Sequence, residues 1–132
     1  MDWRLGAAIA AGLIVASLVD WLFAGILFHD RYQAHPEVWR FNGANPRALM
    51  AAQALTIPTV VGLMALMRIT GQTSLLPALE VATLVWLIAA VPAILANGIY
   101  IKIHPLVVAS HTIGWLAKLA AIAVVASFIL PR

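Results

Sequence analysis

The sequence predicts an all-α polytopic membrane protein, an up-down bundle of four transmembrane helices. Three observations carry that prediction. Of the 132 residues, 64% are hydrophobic and only 10% are charged, whereas a soluble domain has about a quarter of its residues charged. The apolar residues gather into four stretches, each close to the ~20 residues that cross a hydrocarbon core. Most charges lie outside the stretches. Lipid offers backbone groups no hydrogen-bond partner, so each stretch is expected to be a helix.

The first span is read over residues 5–28, where Asp20 is the one charge. It is too long for a signal-peptide core and lacks a small-x-small cleavage site at its end, so it is expected to be retained as a span. A polar loop, 29–47, contains Asn42-Gly43 as a turn signal. It ends on Asn45-Pro46, a helix cap followed by a proline in the first helical position. The second span is read over 48–67, and Arg68, Gly71 and Gln72 mark a short turn. The third span, 75–101, has Glu80 near its start, Pro77 in the tolerant first turn and Pro92 where a kink is expected. A tight connection, 102–104, leads to Pro105 and the fourth span, 105–130, with Lys118 at its centre. The whole chain, 1–132, is read as a single membrane domain. Short connections make neighbouring spans antiparallel, which places both termini on one face, side A, and the long loop on the other, side B.

Eight Lys/Arg against five Asp/Glu give a net charge of +3. The basic residues are scattered, which excludes the electrostatic footprint of a nucleic-acid binder. There is no cysteine, which excludes disulfides, thiolate metal sites and a cysteine nucleophile. Side A carries Arg4, Arg68 and Arg132, and side B carries Arg31, Arg40, Arg47 and Lys102. That small excess assigns side B to the cytoplasm and both termini to the non-cytoplasmic face. Trp3, Tyr32, Trp39 and Tyr100 fall where interfacial aromatics anchor a bundle. The preference for Arg over Lys and the Ala/Leu richness suggest a bacterial inner (cytoplasmic) membrane.

A charge at the centre of a span costs about 2.5–3.5 kcal/mol even on a lenient scale, so Asp20 and Lys118 are expected to face the bundle interior. Counting 1.5 Å per residue from the side-B ends puts Asp20 about 12 Å deep and Lys118 about 20 Å deep, within reach of each other. His111, Gln53, Thr56 and Asn97 fall at similar depth, so all four helices are expected to contribute to one polar layer. His111 and Lys118 lie about 20° apart on a helical wheel. The layer reads as a pocket open toward side B, with Asp20 and His111 as a titrating pair and Lys118 at the floor. The alternative reading, favoured for Gln53, Thr56 and Asn97 taken singly, is an interhelical hydrogen-bond network. Ala8, Gly12 and Ala16 form a small-residue stripe that permits close approach of span four or of a second copy of the chain. His29, Asp30, His35 and Glu37 in the loop lack a recognised metal spacing, and neither a metal nor a cofactor is predicted.

Phe23-Ala24-Gly25-Ile26-Leu27-Phe28 and Asn97-Gly98-Ile99-Tyr100 resemble the ends of the first and third spans in a family of small bacterial four-helix membrane proteins catalogued as a domain of unknown function. Ala24-Gly25 stand where that family has Ser-Pro. The resemblance implies the four-span layout and transfers no activity.

The function expected first is therefore a polar intramembrane cavity that binds a small or lipophilic molecule or conducts protons. The alternative is a non-catalytic accessory or scaffold subunit in which the same residues are glue. Two further readings are an intramembrane enzyme using Asp20 and His111 as acid and base, and a tetrapyrrole carrier using His111 beside Ser110, Gly114 and Trp115. The absence of a nucleophile or cofactor motif weighs against an enzyme. The expected partners are the lipid bilayer, a homo-oligomer or a larger membrane complex.

Overall fold

The computed structural model describes residues 3–34, 40 and 45–131. The Asn42-Gly43 turn, His35, Glu37, Trp39 and Arg132 lie outside the described residues. The protein is all-helical, and four of its helical stretches are long and apolar enough to cross a membrane: Trp3–Leu27, Pro46–Ile69, Leu75–Tyr100 and Pro105–Ile129.

Span one is helix α1 (Trp3–Asp20) continued by a π-helical turn, Trp21–Leu27. The Phe28 amide closes that turn by donating to the Phe23 carbonyl, five residues back, at 3.0 Å. A short helix α2 (His29–Gln33) follows. Span two begins where the Asn45 side chain accepts a hydrogen bond from the Ala48 amide at 3.1 Å, with Pro46 in the first turn. It is broken at Leu55 into α3 (Pro46–Ala54) and α4 (Thr56–Ile69). Pro58 explains the break. It has no N–H for the Ala54 carbonyl and its ring crowds that group. Span two closes on Gly71 at φ +70°, with Gln72 donating to the Met67 carbonyl at 2.9 Å and Gly71 to Arg68 at 3.2 Å. This is a Schellman ending, and it needs the left-handed conformation that glycine adopts without strain.

Span three comprises α5 (Leu75–Val85), a second π-helical turn (Trp86–Ala90) and α6 (Val91–Tyr100). Pro92 removes the donor for the Ile88 carbonyl, and the helix widens just before it, with the Val91 amide reaching back to the Trp86 carbonyl. The irregularity expected at Pro92 thus takes the form of an added residue in the turn. Span four is one helix, α7 (Pro105–Ile129), capped by the His104 imidazole, which accepts from the Leu106 amide at 3.1 Å.

Span four is the centre of the bundle. In its most apolar window 39% of residues are buried, against 11% in spans one and three; the remaining apolar surface suits lipid. Helix α7 packs on α1, α4, α5 and α6. Ala8, Gly12 and Ala16 are buried along α1. A Cβ on Gly12 would sit 2.8 Å from both Met64 Cε and Val60 Cγ1 and 3.7 Å from Ile122 Cγ2. The stripe therefore serves contact with α4 and α7 inside the chain, and it is not left open for a second copy. Around it, Val60, Met64, Met67, Leu119 and Ile122 are fully buried and fill the side-A half. Thr73 donates to the Pro131 carbonyl at 3.1 Å, tying the turn after span two to the end of span four.

Span three is held to span four by Ala78 and Ala82 and by the Trp86 indole, whose Nε1–H donates to the Thr112 carbonyl at 2.8 Å. Trp86→Phe deletes that donor and keeps a ring. It is expected to lower unfolding free energy in detergent by about 1 kcal/mol, measured by denaturant titration.

Candidate functional site

Helix α3 has no buried residue. Where it leaves the bundle, above the Leu55 break, a cavity of about 650 Å³ lies between it, the first π-helical turn, α2 and the first half of α7. Its walls follow from helical spacing. Gln53, Thr56 and Thr59 present one face of span two, and Ser110, His111, Gly114, Trp115 and Lys118 present one face of span four. The π-helical turn brings Trp21, Phe23, Ala24 and Gly25 to the same space. Gly114 lets that turn approach, since a Cβ there would meet the Phe23 ring at 3.3 Å.

Asp20 and Lys118 form the floor. Asp20 Oδ1 lies 2.6 Å from Lys118 Nζ, and the ammonium is also 4.5 Å from the centroid of the Trp115 ring. Lys118 is buried, whereas the Asp20 side chain remains 34% exposed. At the upper wall, Tyr32 Oη lies 3.2 Å from His111 Nε2 and 3.4 Å from Ser110 Oγ. The two rings meet edge-on with centroids 5.6 Å apart. Gln53 Oε1 accepts from Ser17 Oγ at 3.0 Å, which fixes the amide and joins spans one and two. Below the pair the bundle closes, because Ala16, Val60, Met64 and Ile122 have no exposed surface.

The family described as "Protein of unknown function (DUF1761)" matches residues 7–127. The chain belongs to the DUF1761 family. No curated protein and no solved structure matches it. The matched stretch of this DUF1761 chain includes every residue that lines the cavity.

Of the residues singled out in the sequence, the fold brings Asp20, Gln53, Thr56, His111 and Lys118 to one cavity. Asn97 is not with them. It is exposed on α6, and span three supplies no lining residue. Depth along a helix is set by counting rises, but span three packs against the far flank of α7 and stays outside the layer. Asp20 and His111 share no hydrogen bond either, since Asp20 pairs with Lys118 and His111 with Tyr32. Tyr32 was expected only to anchor the interface, yet its hydroxyl points to the site. His29 and Asp30 are exposed on α2. Ser17, Thr59 and Trp21 were not foreseen. The signal for Thr59 is its three-residue spacing from Thr56, and the signal for the opening itself is Pro58.

Burial pushes the Tyr32 phenol above its ordinary range, and the charge of Asp20 adds to this while the Ser110 hydrogen bond opposes it. The unfolded phenol ionises at about pH 10 while the folded one keeps its proton. The folded state then binds more protons, so stability falls as pH rises through that range. Tyr32→Phe is expected to remove this alkaline slope and to cost about 1 kcal/mol at neutral pH, read from melting curves between about pH 8 and 11.

Proposed function

We propose that this DUF1761 protein is an integral membrane protein that binds a small lipophilic or amphipathic molecule in the side-B cavity. The observation that carries this is a cavity of about 650 Å³ with mainly apolar, aromatic-rich walls and an ion pair at its floor. That size and that mixture of apolar wall with a few convergent polar groups suit a ligand pocket, typically about 300–1,000 Å³. Binding is favoured over proton conduction because the side-A half is close-packed around Gly12 with apolar side chains. A relay of titratable groups would have to cross it. In a scaffold role the pair would serve only to join spans one and four.

Ala52→Trp separates these roles. Ala52 is exposed, lines the cavity and sits on a helix that buries nothing, so the indole fills space without entering the core. Native mass spectrometry of protein extracted in mild detergent is expected to show a bound small molecule on the wild type that is absent from Ala52→Trp, with the fold intact. Identical, ligand-free spectra for both would contradict the binding role and leave the scaffold role.

A further inference from the structure

The two ends of the ion pair are not equally placed. The Lys118 ammonium is enclosed, its side chain 9% exposed, while the Asp20 carboxylate is 34% exposed and borders the cavity. Among the described residues only Oδ1 of Asp20 is taken, at 2.6 Å by Lys118, and the other oxygen faces no partner there. The same ammonium lies 4.5 Å from the Trp115 centroid. A carboxylate and an aromatic face sharing one cation make a cation-recognition site, and here the chain's own lysine occupies it. Trp21, Phe23 and Tyr32 line the adjoining space, offering further ring surface to the apolar body of a larger cation.

We propose that the cavity's ligand is a lipophilic organic cation, which takes the Asp20 carboxylate and the Trp115 face in place of the Lys118 ammonium. This rests on the binding role proposed above and names the class of ligand. A second positive charge beside the pair is costly in a medium of low polarity. Binding therefore proceeds as an exchange, the organic cation taking the contacts that the Lys118 ammonium gives up. The ionisable groups facing this exchange are Asp20 from span one, Tyr32 from α2, and His111 and Lys118 from span four; span two contributes the neutral Gln53, Thr56 and Thr59.

The test is equilibrium binding of tetraphenylphosphonium to protein in zwitterionic-lipid nanodiscs, with empty nanodiscs as baseline. Lys118→Met removes the competitor, so it is expected to bind at least tenfold tighter than the wild type. The double variant Asp20→Asn/Lys118→Met lacks both charges, keeps the fold and is expected not to bind. Equal or weaker binding by Lys118→Met, or binding by the double variant, overturns the assignment of a cation. So does the absence of tetraphenylphosphonium binding by both wild type and Lys118→Met. If native mass spectrometry still shows a molecule lost in Ala52→Trp, that last result leaves the pocket standing; without one, both proposals fail together.

Discussion

Asp20→Asn is expected to destabilise the bundle by about 3 kcal/mol, more than any other single polar substitution in the cavity. The cause is the partner left behind. Lys118 is 7% exposed, its ammonium held at 2.6 Å by Asp20 Oδ1, and an amide offers it no compensating charge. Removing one member of a buried pair costs about 3–5 kcal/mol, and the lower end applies because Asp20 keeps contact with the cavity. The sign of the next step separates this cause from a general loss of packing. Adding Lys118→Met to Asp20→Asn removes the orphaned charge and replaces it with an apolar side chain of similar length, so most of the lost stability is expected to return. Unfolding free energies of the four proteins in this cycle, measured in one detergent, give the coupling directly. A double variant as unstable as the sum of the singles would show that the two residues act separately.

The second large effect is expected at Gly12→Val, about 2–3 kcal/mol, through overpacking where three helices meet. Even a methyl group there lies 2.8 Å from Val60 Cγ1 and Met64 Cε. Met64 is flexible and can give way, which leaves Gly12→Ala only the Val60 contact to relieve. Val60 is branched, has no exposed surface and has no free direction in which to move, so the larger valine must push α1 off α4. Gly6 on the same helix, with no atom near its missing Cβ, is the control, and Gly6→Val is expected to change stability by less than about 0.5 kcal/mol. Melting temperatures of Gly12→Ala, Gly12→Val and Gly6→Val should therefore fall in the order of the contacts. Equal losses at both glycines would remove the packing explanation.

The fold class was legible because hydrophobicity in lipid is nearly sufficient to place a span: four long apolar stretches have few other solutions. The floor of the site was legible for a related reason. A charge at mid-span is costly enough that Asp20 and Lys118 could be expected to turn inward and meet. What remained hidden was direction around the helix axis and every departure from regular helix. Asn97 has the right depth, but depth does not specify azimuth, and span three lies outside the cavity. Tyr32 follows span one in sequence like an interfacial anchor. Its contact with His111 and Ser110 depends on the π-helical turn at Trp21–Leu27, which redirects α2, and no proline marks that turn. Pro58 was visible in the sequence and carried the opening of the cavity. Its weight came from the position of the break, between a packed α4 and an unburied α3.

A ligand site here requires a bundle that is hollow and reachable in its side-B half and sealed below. The chain has no cysteine, so single introduced thiols report access without background. Three neighbouring positions in α4 differ sharply in setting: Thr59 lines the cavity, Val60 is 0% exposed in the core, and Ile57 is exposed on the outer surface away from the cavity. In nanodiscs, a small water-soluble methanethiosulfonate is expected to modify Thr59→Cys and to leave Val60→Cys and Ile57→Cys unmodified over the same period, with Ala52→Trp protecting Thr59→Cys. An unreactive Thr59→Cys, or one no faster than Ile57→Cys, would contradict a water-reachable cavity and with it the ligand site.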